Sequence, residues 1–388
     1  MSKTVDHSKR AHALLSASSS NRWLACPPSA VAQELYVNTG SVFTREGTLA
    51  HEVAEGIATA ELNGLPREVW YDDPSKGITH EMIECAENYA DYIREQINCD
   101  APLILLEQRV DFSPWVPDGF GTADCIIIQG DTMDVIDYKF GKGVPVSAEK
   151  NSQMMLYGLG ALNDYGFAYD VEKIRLHIYQ PRINNISVYT ITIDKLMEWS
   201  ERVKRIAALA AKGEGEYHAG DHCTFCLHAG RCRELNGLCV AYVRHRDMTI
   251  DVPVLSPHEI AETLRMEPLV SLWLNRVKTQ ALTDMLNGEQ VPGYKVVAGR
   301  PGNRKWKDEL KVAEALEAAG YGPGEYTEVK LLSPAALEKS IGKKTVNELI
   351  AGHIDRAPGT PVIAPETDKR PAYDRAAEMR KEFMEAEA

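Results

Sequence analysis

The sequence lacks any long apolar run and any excess of positive charge. No stretch approaches the roughly 18 consecutive apolar residues of a membrane span, and residues 1–10 are polar, without the apolar segment of a signal peptide. Lys and Arg number 43 against 56 Asp and Glu, a net charge of −13. We therefore expect a cytoplasmic protein without membrane contact. The charge also argues against nucleic-acid binding through bulk positive charge, although a local basic groove is compatible with it.

Nothing in the composition suggests disorder, since 44% of residues are apolar and 26% are charged. A chain of 388 residues is long enough for two domains with separate cores. Beyond Cys239 the pattern changes to a helical region over about 255–287 and then to short elements broken by Gly and Pro. We therefore predict one domain over 16–245, a helix-rich second domain over 255–388, and a boundary near 245–255.

The first domain is predicted to be α/β, because helical and strand patterns alternate along it. The order is two helices, three strands, a helix, two more strands and a helix, which indicates a central mixed sheet flanked by helices. The second and third strands form a hairpin around Gly130-Asp131. The predicted ranges are a helix from Arg45, a helix over 79–97, a strand over 102–110, hairpin strands over 125–129 and 133–140, a helix over 149–165, strands over 173–180 and 187–193, and a helix over 194–211.

The predicted hairpin carries two carboxylates and a lysine. Side chains alternate faces along a strand, so Asp137 and Lys139 point the same way, and Asp124 on the neighbouring strand can join them. Two converging carboxylates repel unless a cation lies between them, and a lysine beside them can hold or polarise a water. The hairpin therefore predicts metal-assisted hydrolysis.

Further polar residues accompany the hairpin in a characteristic order. Gln153 and Tyr157 lie one turn apart on the following helix, and His51 lies on a preceding one. With Asp124 and the Asp137-x-Lys139 pair, this set resembles the RecB-type branch of the PD-(D/E)XK nuclease superfamily, over roughly residues 16–235. Glu107 and Arg109 on the first strand are weaker candidates, because charges on strands are usually solvated or paired.

The resemblance implies a role for each residue of that set. His51, Asp124 and Asp137 would bind Mg²⁺ or Mn²⁺, while Lys139 would position the attacking water. Gln153 and Tyr157 would order the site or touch DNA. Oxygen ligands with one imidazole suit these cations better than zinc, whose sites favour Cys and His.

Three cysteines at short spacing and one far upstream form a second pattern. Cys223, Cys226 and Cys232 lie near the end of the predicted domain, and Cys26 near its start. This arrangement resembles the iron–sulfur version of the same nuclease, as in the AddB subunit of bacterial recombination nucleases and in CRISPR adaptation nucleases. The resemblance implies a structural [4Fe-4S] cluster. Zn²⁺ remains the alternative, because zinc also accepts four thiolates and His218, His222 and His228 lie nearby.

A basic segment follows in the second predicted domain, with an aromatic residue among positive charges. Such a segment could follow a phosphate backbone and stack a base, although a solvated loop is an equal alternative. The candidate DNA contacts are Arg300, Arg304, Lys305, Trp306 and Lys307. The C-terminal portion also resembles a phage and prophage family of unknown function, DUF2800.

Taken together, the sequence predicts a Mg²⁺- or Mn²⁺-dependent DNA nuclease, an exonuclease of phage or prophage recombination or replication. DNA is the expected substrate, and a single-strand annealing or binding protein or a helicase is a further expected partner. No Gly-x4-Gly-Lys-Ser/Thr signature is present, so unwinding would come from such a partner. The alternatives are a non-catalytic DNA-binding or scaffold protein and a structure-specific endonuclease.

Overall fold

The computed structural model describes residues 13–36, 42–65, 76–244 and 256–296. Within these residues it contains a five-stranded sheet with helices before, between and after the strands. The helices are α1 (Ser20–Ala25), α2 (Ser29–Ala32), α3 (Val42–Leu62), α4 (His80–Gln96), α5 (Ser152–Tyr165), α6 (Ile193–Ala210), α7 (Arg233–Arg244) and α8 (Pro257–Leu286). The strands are β1 (Leu103–Asp111), β2 (Phe120–Gln129), β3 (Thr132–Tyr138), β4 (Lys173–Gln180) and β5 (Asn185–Thr192).

The sheet has the order β1-β2-β3-β4-β5 and is mixed, as the sequence predicted. β3 and β4 are parallel, and the other neighbouring strands are antiparallel. Helix α5 provides the crossover that a parallel pair requires. The hairpin between β2 and β3 is confirmed, and it turns at Gly130 with a φ of +57°, a conformation that favours glycine.

Helix α5 begins three residues later than the sequence predicted. The side chain of Asn151 accepts hydrogen bonds from the backbone N–H groups of Gln153 and Met154, so it caps the helix and fixes its first turn. Gln153 therefore lies in the first turn of α5, next to the end of the hairpin.

The sheet separates two hydrophobic cores. One contains Ile126 and Val135 from the sheet together with residues of α1, α5 and α6. The other contains Cys125 and Ile136 together with residues of α3 and α4. Since neighbouring residues on a strand point to opposite faces, the sheet lies between two helical layers. The mixed α/β prediction is confirmed.

The cysteine-rich segment after α6 has little regular structure and is covered by a long helix. It folds as two 3₁₀ turns, Asp221–Phe225 and Leu227–Arg231. Leu269 and Trp273 of α8 pack against its buried residues. The sequence assigns α8 to the second predicted domain, whereas its apolar contacts here are with the cysteine-rich segment of the first.

The chain divides into two compact units after Lys307, and every described residue belongs to the first unit. The second unit, residues 308–388, lies outside the described residues. Among the helices that the structure describes, none is long and apolar enough to cross a bilayer.

Candidate active site and cysteine pocket

His51, Glu107 and Asp124 bring three potential metal ligands together at the edge of the sheet. Their ligand atoms all lie within 4.8 Å of one another. His51 Nδ1 is 3.5 Å from Asp124 Oδ1 and 3.9 Å from Glu107 Oε1. These side chains come from α3, β1 and β2, so the cluster joins a helix of one layer to two strands of the sheet.

The charge on His51 depends on these two carboxylates. Burial alone would lower the pKa of His51, but its contacts with Asp124 and Glu107 raise the pKa to about 10. Without a metal the imidazole is therefore protonated at neutral pH and neutralises the carboxylates. A divalent cation would have to displace this proton, because a metal ligand must be the neutral imidazole.

Asp137 and Lys139 form the second half of the site. Lys139 Nζ lies 2.9 Å from Asp137 Oδ2 and donates a hydrogen bond of 3.1 Å to Oδ1. Gln153 Nε2 donates to the same Oδ1 at 3.0 Å and lies 3.4 Å from the hydroxyl of Tyr157. The structure therefore brings Asp137, Lys139, Gln153 and Tyr157 into one hydrogen-bonded group, as the sequence predicted for these four positions.

One oxygen of Asp137 stands apart from this hydrogen-bonded group. Its Oδ2 is buried and has no hydrogen-bond partner among the described residues, because the Lys139 ammonium, although close, is not aligned for one. Burial, together with the nearby Asp124, raises the pKa of Asp137 to about 6, although Lys139 opposes this shift. Lys139 supplies one positive charge beside this oxygen, and the oxygen keeps a lone pair without a hydrogen bond that a divalent cation could bind. The donor set thus fits a Mg²⁺ or Mn²⁺ ion.

Strand register places the two aspartates side by side. Cys125 pairs with Ile136 in the antiparallel hairpin, so Asp124 and Asp137 are the next residues on each strand and point to the same face. The backbone N–H of Tyr138 donates to Asp124 Oδ2 at 2.7 Å, which holds that carboxylate against the end of β3. The predicted shared face is therefore present.

Gly121 explains how α5 approaches this part of the hairpin. A Cβ atom at Gly121 would lie 2.7 Å from Cε1 of Tyr157, too close for any side chain. The glycine of the Gly-Thr-Ala-Asp run thus lets the Tyr157 ring pack onto β2, and that packing brings Gln153 of the same helix face to Asp137.

Glu107 is part of the site, although the sequence made it only a weaker candidate. Leu106 pairs with Cys125 and Gln108 with Ala123, so Glu107 lies opposite Asp124. Its φ of +44° is rare for a residue with a side chain and costs roughly 1–3 kcal/mol. The available signal was an acidic residue interrupting an apolar strand, but only the register of β1 against β2 shows which residue it faces. Among the described residues Asp137 is not part of the three-ligand group that Glu107 joins.

The four predicted cysteines line one small cavity. Cys26, Cys223, Cys226 and Cys232 all border it, and all four are free thiols. Cys26 follows α1, while the other three belong to the two 3₁₀ turns or flank them, so the cavity joins positions 197 residues apart (223 − 26). Four thiols around one cavity are a suitable donor set for an iron–sulfur cluster or a zinc ion.

The spacing of the ligand atoms bears on the choice of metal. In the described part of the chain, no three sulfur or imidazole ligand atoms of this cavity lie within 4.8 Å of one another. Four thiolates on one zinc lie about 3.8 Å apart, because each Zn–S bond is about 2.3 Å. The four thiols therefore do not stand at the spacing of a closed zinc site.

Positively charged groups border the same cavity. The Arg22 guanidinium is only 5% exposed and donates to the backbone oxygen and the hydroxyl of Ser29 at 2.9 and 3.0 Å. Hydrogen bonds to the Cys223 and Cys26 sulfurs raise the pKa of His222 to about 10. Burial acts to raise the pKa of Cys26, but the hydrogen bond to His222 contributes to a net lowering. Burial raises the pKa of Cys226 and Cys232, so of these three thiols Cys26 is the one shifted towards the thiolate.

The other predicted residues divide into two groups. Cys85, Cys125 and Cys239 are buried and pack as small core residues, whereas Cys99 is exposed. The weak DNA-binding candidates lie outside the described residues: Arg300, Arg304, Lys305, Trp306 and Lys307.

Comparison with known proteins places the chain in a family. The family described as "Protein of unknown function (DUF2800)" matches residues 12–371, so the chain belongs to that family. The chain is also similar to a solved structure titled "Crystal structure of SSO0001", at 16% identity over 56% of this chain and 85% of that chain. The TM-score of that match is 0.26, which is too low to support a functional conclusion.

Proposed function

We propose that this member of the DUF2800 family is a metal-dependent DNA nuclease with a RecB-type PD-(D/E)XK core. It acts as an exonuclease in phage or prophage recombination or replication, in the cytoplasm of a bacterium or an infected host cell. The observation that carries the proposal is the buried Asp137 Oδ2, which has no hydrogen bond from the described residues and lies beside Lys139 and near Asp124. Converging carboxylates repel one another, and a divalent cation between them would relieve the repulsion that His51 and Lys139 offset only in part.

The metal would be Mg²⁺ or Mn²⁺, held by Asp124 and Asp137 with His51 and Glu107. When bound, it supplies positive charge that stabilises the charge developing on the phosphate and makes a water a stronger nucleophile. Asp124 keeps its orientation through the Tyr138 N–H, and Asp137 keeps its orientation through Gln153. Both carboxylates are therefore preorganised before the cation arrives.

Lys139 orients the attacking water in this proposal. An ammonium has three donors, and two are directed at Asp137 Oδ1 and Gln153 Oε1, at 3.1 and 3.5 Å. The third remains for a water. Burial acts to lower the pKa of Lys139, but Asp137 and Asp124 raise it above its usual value, so Lys139 stays charged and acts as a donor.

The cysteine cavity would hold a [4Fe-4S] cluster with a structural role, with Zn²⁺ as the alternative metal. The spacing of the four thiols and the buried Arg22 beside them support the cluster, whose thiolate ligands carry negative charge. Such a cluster would tie α1 to the segment before α7 and so restrict the unfolded chain.

The test is a cleavage assay with anaerobically purified full-length protein and Mn²⁺ or Mg²⁺. End-labelled single-stranded and duplex DNA are compared with circular and end-blocked DNA, and wild type with Asp137→Asn. We expect cleavage of linear DNA with free ends, and a loss of at least about 10³-fold in Asp137→Asn, equivalent to about 4 kcal/mol. Asp131→Asn is the matched control, since Asp131 is an exposed aspartate at the turn of the same hairpin.

Three outcomes would contradict parts of the proposal. Cleavage of circular DNA would indicate a structure-specific endonuclease instead of an exonuclease. DNA binding without any Asp137-dependent cleavage would indicate the non-catalytic DNA-binding alternative. For the cluster, a colourless anaerobic preparation that contains zinc and no iron would exclude the iron–sulfur assignment.

A further inference from the structure

A groove of about 590 Å³ lies between α1, α6 and the loop that leads into α5. Its lining includes Asn21 of α1, Lys150 and Ser152 at the start of α5, and Trp199 and Arg202 of α6. We call it the α1/α6 groove. None of its described lining residues belongs to the acidic site or to the cysteine cavity.

The lining of the α1/α6 groove includes residues that are next in sequence to the acidic site and to the cysteine cavity. Ser152 in its wall immediately precedes Gln153, whose side chain bonds to Asp137. Ala25 in the opposite wall immediately precedes Cys26 of the cysteine cavity. The groove therefore adjoins the first turn of α5, which carries Gln153 of the acidic site.

The charges in the groove match a phosphate backbone. Lys150 and Arg202 are both exposed, and neither forms an ion pair within the described residues, so both are free to meet an anion. Glu149 is the one acidic residue among the described residues of the lining. The N-terminal end of α5, a 14-residue helix, also faces this region and adds partial positive charge.

Trp199 adds a stacking surface. It packs against the core beneath α6 but is only partly buried, so its ring is held in place while part of it faces the groove. A fixed aromatic ring beside basic residues is the usual means of binding single strands, because an unpaired base can stack on the ring. Bases in a duplex are already stacked on one another, which excludes this contact.

We propose that the α1/α6 groove binds single-stranded DNA on its way to the acidic site. Lys150 and Arg202 contact phosphates and Trp199 stacks a base. The identity of this ligand rests on the proposed nuclease function, and the binding itself can be tested separately from cleavage.

The experiment measures binding of a fluorescein-labelled oligo(dT) of about 20 nucleotides, longer than a typical single-strand site, by anisotropy without divalent cations and with full-length protein. We expect Lys150→Ala/Arg202→Ala to bind at least about tenfold more weakly, and the slope of log K against log salt to fall by about 1.4 for two lost phosphate contacts. Trp199→Leu should also weaken binding about tenfold, whereas Trp199→Phe should retain most of the affinity. Lys204→Ala/Arg205→Ala is the matched control, since it removes two exposed charges from α6 outside the groove.

The outcomes separate this inference from the proposed function. If wild type cleaves DNA but the groove variants bind oligo(dT) as tightly as wild type, the groove assignment is overturned and the nuclease proposal stands. If wild type binds through Lys150, Arg202 and Trp199 but never cleaves, the groove stands and the nuclease proposal falls. An equal loss in the control pair, or tighter binding of duplex DNA or oligo(rU), also overturns the assignment.

Discussion

The acidic site and the cysteine cavity both bring together groups that can carry negative charge, but different parts of the fold hold these groups. Each gathers groups that carry or can carry negative charge, and each places a cationic side chain beside them, Lys139 in the first and Arg22 in the second. The acidic side chains stand on the neighbouring strands β1, β2 and β3, and His51 and Gln153 reach them from α3 and α5. Three of the four cysteines stand in or beside two five-residue 3₁₀ turns that have no place in the sheet.

Because the sheet holds one site and short turns hold the other, a metal would contribute differently to each. Backbone hydrogen bonds of the sheet fix the acidic site, so its geometry does not depend on a cation. The cysteine cavity depends on short turns and on the cover of α8, so its metal would supply much of its order. We expect loss of metal to abolish activity at the acidic site and to reduce stability at the cysteine cavity.

The sharpest test of this contrast compares Cys26→Ser with Asp137→Asn in thermal unfolding. Cys26→Ser should lose iron and about 4 kcal/mol of unfolding free energy, which lowers Tm by roughly 6 °C for a unit that spans residues 1–307. Asp137→Asn should keep the wild-type Tm or raise it in metal-free buffer, because burial and the nearby Asp124 disfavour the charged carboxylate and raise its pKa to about 6. Cys99→Ser, an exposed cysteine, is the control. Equal Tm values for Cys26→Ser and wild type would contradict the proposal that a cluster ties α1 to the segment before α7.

Arg22 tests whether a buried cation is needed at the cysteine cavity. Arg22→Met removes the guanidinium beside the thiols and should make iron about 10- to 100-fold easier to extract with a chelator, as outer-shell partners of metals commonly do. Iron content after timed chelation is the measurement. Ser29→Ala removes one hydrogen bond of Arg22 but keeps its charge, so near-normal iron retention in that variant would assign the effect to charge.

Glu107 tests whether the acidic site extends onto β1. Glu107→Gln removes one charged oxygen from the three-ligand group and should weaken Mn²⁺ binding about tenfold in calorimetric titration. Excess Mn²⁺ should restore most of the cleavage. Glu55→Gln, which alters an exposed acid on α3, provides the comparison. An unchanged Mn²⁺ affinity in Glu107→Gln would leave Asp124 and Asp137 as the site's acidic ligands.

The smallest expected effect is a pH dependence of the thermal stability of the metal-free protein. The raised pKa of His51, about 10, means that its proton stabilises the fold fully below its ordinary pKa near 6.5, and that this contribution is lost as pH rises through 10. Calorimetry without metal should show Tm falling by a few degrees between about pH 7 and about pH 10 in wild type, and less in His51→Gln. Identical slopes in the two proteins would show that Asp124 and Glu107 do not hold the proton.

Much of the fold was predictable because the local patterns were strong. The β-branched run over 125–128 and Gly130 specified the hairpin, and the alternation of side chains placed Asp137 and Lys139 on one face. The start of α5 was misplaced because Asn151 lies among other polar residues, and its capping role depends on the hydrogen bonds it makes. The packing of α8 on the cysteine segment could not be predicted, because a partly apolar helix does not specify its partner.

The sequence by itself determined the secondary structure of the α/β part, the mixed sheet and which polar residues were candidates, because periodicity and turn residues act over short distances. Tertiary structure alone decided that Glu107 faces Asp124, that one oxygen of Asp137 has no hydrogen bond from the described residues, and that Arg22 lies beside the cysteines. It also decided that Lys150, Trp199 and Arg202 share one groove. The physical reason is that contacts between distant segments depend on strand register and helix packing.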